Sequence, residues 1–181
     1  TPASFELEVA YLRALANMGV GQFTQAVEIL ESLQSEPSLA GYVQYNLGIA
    51  LTQAERENEG LRVLDALGQL QTEENDLLAL KDKTNLRLAY RLLDDGQAEL
   101  AQTFFARVRL DGPYSNRALL GSGWAAVAAD RFDRALVPWS LLHEREKTNY
   151  SVQEVLMAVP YAYGKLEAFG KSANMYHFAL D

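Results

Sequence analysis

The chain has 181 residues, of which 49% are apolar and 22% are charged, the proportions of an ordinary folded domain. Its 16 basic and 24 acidic side chains give a formal net charge of −8, which argues against nucleic-acid binding driven by overall charge. No apolar run reaches the roughly 18 residues of a membrane span, and the absence of cysteine excludes disulfides and thiolate chemistry.

The charges are unevenly distributed along the chain. Residues 1–80 hold 12 acidic and 3 basic side chains, whereas residues 81–181 hold 12 acidic and 13 basic ones. We interpret the first part as an acidic, solvated surface. The chain begins at Thr1 without a start Met or a signal peptide and ends abruptly at Asp181, so we expect a fragment of a longer protein.

Two registered series of small residues predict an internal repeat. The second series follows the first at a distance of 12 residues, and both advance in steps of 34, 41, 34 and 37 residues. Apolar residues stand mostly four and seven positions after each member of the second series, which is the spacing of one helix face. The first series is Ala14, Gly48, Ala89, Gly123 and Pro160, and the second is Ala26, Gly60, Ala101, Ala135 and Ser172.

Turn-forming residues between the apolar stretches predict ten helices in five antiparallel pairs, with no strand. Turns within pairs are expected at residues 19–21, 94–96, 130–131 and 167–168. The resulting repeats cover residues 5–37, 38–72, 75–113, 114–147 and 151–181.

Three local features modify this regular pattern. The 41-residue step holds seven extra residues, about two helical turns, so we expect the fifth helix to start early, around Asn75. Pro138 and Pro160 fall inside predicted helices, where each removes one backbone hydrogen bond and should bend its helix. Residues 151–154, Ser-Val-Gln-Glu, have the form of a capping box and are expected to open the ninth helix.

The pattern resembles the tetratricopeptide repeat (TPR) family over nearly the whole chain. The first repeat departs from the family pattern, because Arg13 and Asn17 stand where apolar residues are expected. The resemblance implies one all-α domain, a right-handed superhelical solenoid of about five helix-turn-helix repeats that binds proteins. The residues that carry it are Leu47, Gly48, Leu51, Gly60, Leu64 and Leu67 in the second repeat, and Leu88, Ala89, Leu92, Gly96, Ala101, Phe105, Val108 and Pro113 in the third.

Two segments resemble a narrower group of repeat proteins. Residues 108–113 and 135–139 look like parts of long, uncharacterised repeat proteins of Gram-negative bacteria. That likeness implies an exported, periplasmic protein in preference to a cytoplasmic one.

Signatures of catalysis are absent from the sequence. His143 and His177 stand in different repeats, and neither has a carboxylate at metal-ligand spacing. Residues 121–123, Gly-Ser-Gly, follow no strand and do not form a nucleophile elbow, and no phosphate-binding glycine loop is present. We therefore expect a protein that is not an enzyme and has no metal or cofactor.

The first helix of each repeat should line the inner surface of the stack. Two apolar series fall there, and an open apolar groove of that size would mark an interaction site. The alternative is a groove filled by the protein's own side chains, and the sequence does not choose between the two. The series are Leu15, Ile49, Tyr90, Trp124 and Tyr161, and Tyr11, Tyr45, Leu86, Leu120 and Met157.

Cations border this inner surface. Lys83, Arg87 and Arg91 are spaced four apart, and Arg117 follows Lys83 by 34 residues, one repeat. The family resemblance implies a partial clamp for a C-terminal carboxylate, with Asn46, Lys83 and Arg87 at clamp positions. Tyr11 and Leu15 replace the clamp residues of the first repeat, and ordinary solvation or pairing with acids such as Asp95 is the alternative.

The leading functional hypothesis is a scaffold that binds a peptide or protein segment on its inner face. The partner would be acidic or carry a free C-terminal carboxylate. The alternatives are a structural module, which could form homo-oligomers through the end helix near residues 169–180, and a regulatory segment of a larger enzyme. The candidate binding residues are Asn46, Lys83, Arg87, Tyr90, Arg117, Trp124 and Tyr161.

Overall fold

A computed structural model describes residues 2–145 and 148–180, apart from the side chains of residues 2–4, 38, 40 and 178–180. Within this part of the chain the regular elements are ten α-helices and one 3-10 turn at Pro37–Leu39, with no strand. The helices are α1 Pro2–Gly19, α2 Phe23–Ser32, α3 Ala40–Gln53, α4 Glu57–Gly68, α5 Asn75–Asp94, α6 Ala98–Phe105, α7 Ser115–Ala128, α8 Phe132–His143, α9 Tyr150–Lys165 and α10 Phe169–Leu180.

The predicted all-α class and the predicted helix count are both confirmed in the described residues. The early start of the fifth helix is also confirmed, because α5 begins at Asn75 and has 20 residues. Pro138 lies inside α8 and Pro160 inside α9, as the sequence predicts.

The start of α9 differs from the predicted capping box. Asn149 is the N-cap, and its side-chain oxygen accepts a hydrogen bond from the backbone N–H of Ser151 at 3.0 Å. Ser151 is therefore buried inside the first turn of the helix and does not cap it. Asn149, two positions upstream of Ser151, satisfies an exposed amide of the first turn, and the helix therefore starts earlier than the Ser-x-x-Glu pattern predicts.

Each turn within a helix pair has the same backbone conformation. One residue per turn adopts a positive φ, between 55° and 80°, and the next residue donates its backbone N–H to a carbonyl five residues earlier, at 2.8–2.9 Å. This arrangement ends the first helix in a left-handed residue and satisfies a terminal carbonyl. One of these turns, at residues 54–56, was not predicted. The positive-φ residues are Gly21, Glu55, Gly96, Asp130 and Glu167.

The ten small residues that predicted the repeat are all buried. Their role is to allow close helix crossing, as α3 and α4 show. A Cβ atom added to Gly60 would lie 2.5 Å from the carbonyl oxygen of Gly48, so no side chain fits there without moving backbone. The large residues beside them fill the core, among them Leu30, Leu64 and Trp139, which are at most 2% exposed.

The chain divides into two compact bodies. The N-terminal body is Thr1–Thr84 and the C-terminal body is Asn85–Asp181, so the boundary falls within α5. A buried cluster around Leu30 and Leu47 forms a core of the first body. The second body holds one cluster around Trp139 and another around Phe105.

Candidate functional site

The candidate site is a cavity in the C-terminal body with a volume of about 480 Å³. This volume lies within the range of roughly 300–1,000 Å³ that ligand pockets have. It is formed by α5, the segment before α7, α7 itself and the beginning of α9. The lining residues are Tyr90, Pro113, Asn116, Arg117, Leu120, Trp124, Asn149, Tyr150, Ser151 and Glu154.

Trp124 forms a rigid wall of the cavity. Its indole N–H donates a hydrogen bond to Oε1 of Glu154 at 2.7 Å, linking α7 to α9. Its ring packs edge-on against Trp139, with ring centroids 5.0 Å apart. Trp139 is fully buried and donates its own indole N–H to the carbonyl of Leu120 at 3.2 Å. The Trp124 ring is therefore held by both packing and a charge-assisted hydrogen bond.

Tyr90 forms a second wall. Its ring packs edge-on against Phe105 at a centroid distance of 5.1 Å, and its hydroxyl donates to the backbone carbonyl of Arg117 at 3.0 Å. Burial raises the pKa of Tyr90, the positive charge of Arg117 lowers it, and the negative charge of Glu154 raises it. Both charged side chains therefore lie within electrostatic reach of this hydroxyl.

Arg117 brings a cation to the cavity. Its side chain is exposed, and its guanidinium carbon lies 5.9 Å from the centre of the Tyr90 ring, within the range of a cation–π contact. The sequence places Arg117 one repeat after Lys83, and the aromatic contact found here is with Tyr90.

Arg145 organises the entrance to α7 although the sequence gave no reason to select it. Its guanidinium donates to Oγ of Ser115 at 2.8 Å, to Oδ1 of Asn116 at 2.5 Å and to the carbonyl of Leu110 at 3.0 Å. This fork fixes the side-chain oxygen of Asn116, which lines the cavity.

Tyr161 lies beside the cavity and does not line it. Its ring is 6.5 Å from Trp124 and 6.2 Å from Phe132, and it is 39% exposed. The ammonium of Lys165 lies 5.7 Å from its ring centre. Tyr161 thus extends the aromatic surface of α9 towards solvent.

Two predicted site residues belong to the N-terminal body and already have intramolecular contacts. The side-chain amide of Asn46 donates to the hydroxyl of Tyr11 at 2.7 Å and to the carbonyl of Tyr42 at 2.9 Å. Burial raises the pKa of Tyr11, and the hydrogen bond from Asn46 lowers it. The ammonium of Lys83 lies 4.7 Å above the ring of Tyr45.

The remaining cations lie on the C-terminal part of α5. Arg87 is exposed. Arg91 forms an ion pair with Asp95 at 2.8 Å, four residues along the chain, which is the pairing that the sequence offered as an alternative.

The inner-face series are only partly open. Tyr45 and Leu86 are at most 8% exposed and belong to the cores, and Leu120 lines the cavity but is only 6% exposed. Met157 and Tyr161 are the strongly exposed members, at 56% and 39%. The apolar surface is thus filled by the protein's own side chains in some places and open in others.

Glu154 is a cavity-lining residue that the sequence analysis did not select. It lies seven residues before Tyr161, two turns along the same helix face, and this spacing could have identified it. Its assignment to a capping box concealed the signal. Glu154 and Arg117 line the same cavity, whereas only cations were predicted at the border of the inner surface.

The end helix is described in part. Phe169 is 68% exposed and Tyr176 is 37% exposed. The side chains of Phe178, Ala179 and Leu180, at the end of the helix through which the sequence allowed homo-oligomers, lie outside the described residues.

None of the described helices is both long enough and apolar enough to cross a membrane. The same residues contain no group of three or more His, Asp or Glu side chains that could hold a metal ion.

No protein-family model and no curated protein matches the chain. Solved structures do match it. MamA 41-end from Desulfovibrio magneticus RS-1 has a TM-score of 0.65 at 14% identity, covering 96% of this chain and 93% of that one. A MamA RS-1 double mutant has a TM-score of 0.66 at 14% identity, covering 96% and 92%.

A third solved structure that matches the chain has TPR-like repeats. It is a putative kinesin light chain of Podosopora anserina with nearly identical TPR-like repeats, and its TM-score is 0.62 at 17% identity, covering 96% of this chain and 92% of that one. At these identities the likeness concerns the fold alone. The chain has the all-α solenoid fold of TPR-like helix-turn-helix repeats.

Proposed function

We propose that the chain is a binding module that holds a segment of another protein in the cavity between α5, α7 and α9. The observation that carries the proposal is the rigid Trp124 wall, fixed by Glu154 and Trp139 beside an open volume of about 480 Å³. Fixed aromatic walls with a few convergent polar groups are typical of binding sites and of interface hot spots.

A peptide segment suits this site for a physical reason. The cavity offers donors and acceptors suited to a peptide backbone from Asn116 and Asn149, and its rim carries Tyr150, which is 75% exposed. Aromatic side chains bring a large contact area with few rotors to immobilise, so they favour affinity. Arg117 would orient an acidic group of the segment through charge-assisted hydrogen bonds.

The carboxylate clamp implied by the family resemblance is a separate part of the proposal. Asn46 and Lys83 would have to exchange their contacts with Tyr11 and Tyr45 for the partner's carboxylate. Arg87, which is exposed, would bind without such an exchange. The periplasmic localisation and the non-enzymatic role remain predictions from the sequence.

The experiment is selection of random peptides displayed on phage against the immobilised chain, followed by titration of synthetic peptides from the enriched pool. We expect saturable binding that weakens in Tyr150→Ala, because this exposed ring forms the rim of the cavity. Val137→Ala is the matched control, since Val137 is 66% exposed on α8 and away from the lining residues. The variant Val137→Asp adds a charge at the same exposed position of α8. Binding that survives Tyr150→Ala but is lost in Val137→Asp would place the partner on α8 and contradict the proposal.

A second candidate function is a structural module that joins copies of the chain. The observation that favours it is an exposed apolar stripe on α1, where Phe5, Val9 and Leu12 are 67%, 46% and 62% exposed at helical spacing. Sedimentation velocity over a wide concentration range tests it. Dimers that dissociate in Val9→Lys and Leu12→Lys would support the structural role, and a monomer at the highest concentration would exclude it.

A further inference from the structure

We infer that the cavity contains a subsite for a basic side chain, arginine or lysine, of the bound segment, with the Glu154 carboxylate as its acceptor. The inference rests on the proposed function and specifies the chemistry of the partner. It also changes the partner expected from the sequence, because an acidic segment alone would place like charge against Glu154.

The carboxylate of Glu154 is positioned to accept further hydrogen bonds. A carboxylate has about four lone-pair positions, and the indole N–H of Trp124 uses one of them on Oε1. That bond also fixes the orientation of the carboxylate, so a ligand loses little by ordering it. Glu154 is partly buried, which strengthens an ion pair relative to one at a fully exposed surface.

Aromatic rings line the cavity that contains this acceptor. Trp124, Tyr90 and Tyr150 all line the same cavity. A guanidinium or ammonium group entering beside them gains cation–π attraction in addition to the ion pair. The protein pairs cations with rings elsewhere, as Lys83 does on Tyr45, at 4.7 Å.

Arg117 limits which basic segments fit. It lies against the Tyr90 ring at 5.9 Å, and its charge and that of Glu154 act on the Tyr90 hydroxyl in opposite directions. The cavity is therefore bipolar, with one acidic and one basic side chain among its lining residues. A segment in which a basic residue is accompanied by an acidic or neutral neighbour complements both charges, whereas a uniformly basic one meets repulsion from Arg117.

The test is an array of terminally blocked random peptides, each synthesised in four versions that differ only at the central position: arginine, lysine, citrulline or glutamate. Citrulline keeps the shape of arginine without its charge. Among the sequences that bind wild-type chain, we expect the arginine version to bind about tenfold more tightly than the citrulline version, as for a charge-assisted hydrogen bond. Glu154→Gln, which can still accept the Trp124 hydrogen bond, should abolish this preference.

Glu144→Gln is the matched control, because it removes the same charge from an exposed position of the C-terminal body outside the cavity lining. It should keep the preference for arginine. Equal binding of arginine and citrulline versions, or a preference for glutamate that depends on Arg117, would overturn the basic subsite while leaving a peptide-binding function in place. Binding of no version would overturn the proposed function together with the subsite.

Discussion

The indole N–H of Trp124 and the carboxylate of Glu154 meet at 2.7 Å, although the two residues are separated by 30 positions in the chain. The bond joins the first helices of two successive pairs, α7 and α9, across the helix that connects them. It is made possible by the packing of Trp124 against Trp139, which leaves the indole nitrogen directed towards α9. This hydrogen bond joins α7 to α9, and both of its residues line the cavity, so it helps to set the shape of the cavity.

Replacing Trp124 should weaken peptide binding. We expect Trp124→Ala to reduce the binding free energy of a selected peptide by about 2 kcal/mol, since it removes a central aromatic wall. Because the ring also packs on Trp139, the same variant should lose folding stability, though less than the roughly 3–5 kcal/mol of a fully buried tryptophan. Isothermal titration and urea unfolding measure the two effects.

Trp124→Phe separates binding from stability. Phenylalanine keeps an aromatic ring against Trp139 but cannot donate to Glu154. We expect near-normal unfolding with weakened binding of peptides that carry a basic central residue. If Trp124→Ala binds as tightly as wild type while remaining folded, the cavity is not the binding site.

The crossing of α3 and α4 should not tolerate a methyl group. In Gly60→Ala the added Cβ would meet the carbonyl of Gly48 at 2.5 Å, so the two helices must separate. We expect a loss of about 1–3 kcal/mol in the free energy of unfolding, measured in urea. Gly19→Ala is the control in the same body, because nothing lies within 4 Å of its Cβ position. A loss in the control as large as that in Gly60→Ala would show that the crossing is not the cause.

Arg145 should support the cavity indirectly. Arg145→Ala removes three hydrogen bonds, to Leu110, Ser115 and Asn116, and should lower both the unfolding free energy and the peptide affinity. Lysine lacks the planar fork, so Arg145→Lys should recover only part of the loss. Arg134→Ala, at an exposed position of α8, serves as the control. Full recovery by lysine would mean that charge alone matters.

The partly buried Tyr90 should make stability depend on pH in the alkaline range. Burial is the largest cause that raises the pKa of Tyr90 above its ordinary value of 10.0. A raised folded-state pKa contributes stability that is complete below the unfolded-state pKa and is lost as the pH rises through the folded-state pKa. We expect the unfolding free energy of wild type to fall more steeply above about pH 10 than that of Tyr90→Phe. Parallel curves for the two proteins would contradict this assignment.

The fold was predictable because each repeat places small residues at the same two helix-crossing positions. Ala26 and Ala101 are both fully buried at crossings where only a small residue fits, so their spacing carries the architecture directly. The start of α5 at Asn75 followed from the geometry of helical turns alone. The turn at Glu55 was missed, although the predicted turns at Asp130 and Glu167 also place a non-glycine residue at positive φ.

The site was less predictable than the fold. Helical periodicity placed Tyr90, Arg117 and Trp124 on neighbouring helices, and the structure brings all three to one cavity. Which of the inner-face residues are exposed depends on how closely the helices pack, and periodicity does not contain that information: Leu120 proved to be 6% exposed and Met157 56%. Glu154 was overlooked because the same four residues also fit a local capping pattern.

The most direct test of the central claim uses the fact that the chain has only two tryptophans. Their indole N–H groups give two separate signals in a ¹H–¹⁵N spectrum, and Trp124→Phe assigns them. On titration with a peptide selected from the array, the account predicts that the Trp124 signal shifts saturably, with the same dissociation constant as the binding isotherm. The peptide binding with no change in the Trp124 signal, while residues of α6 and α8 shift instead, would contradict it.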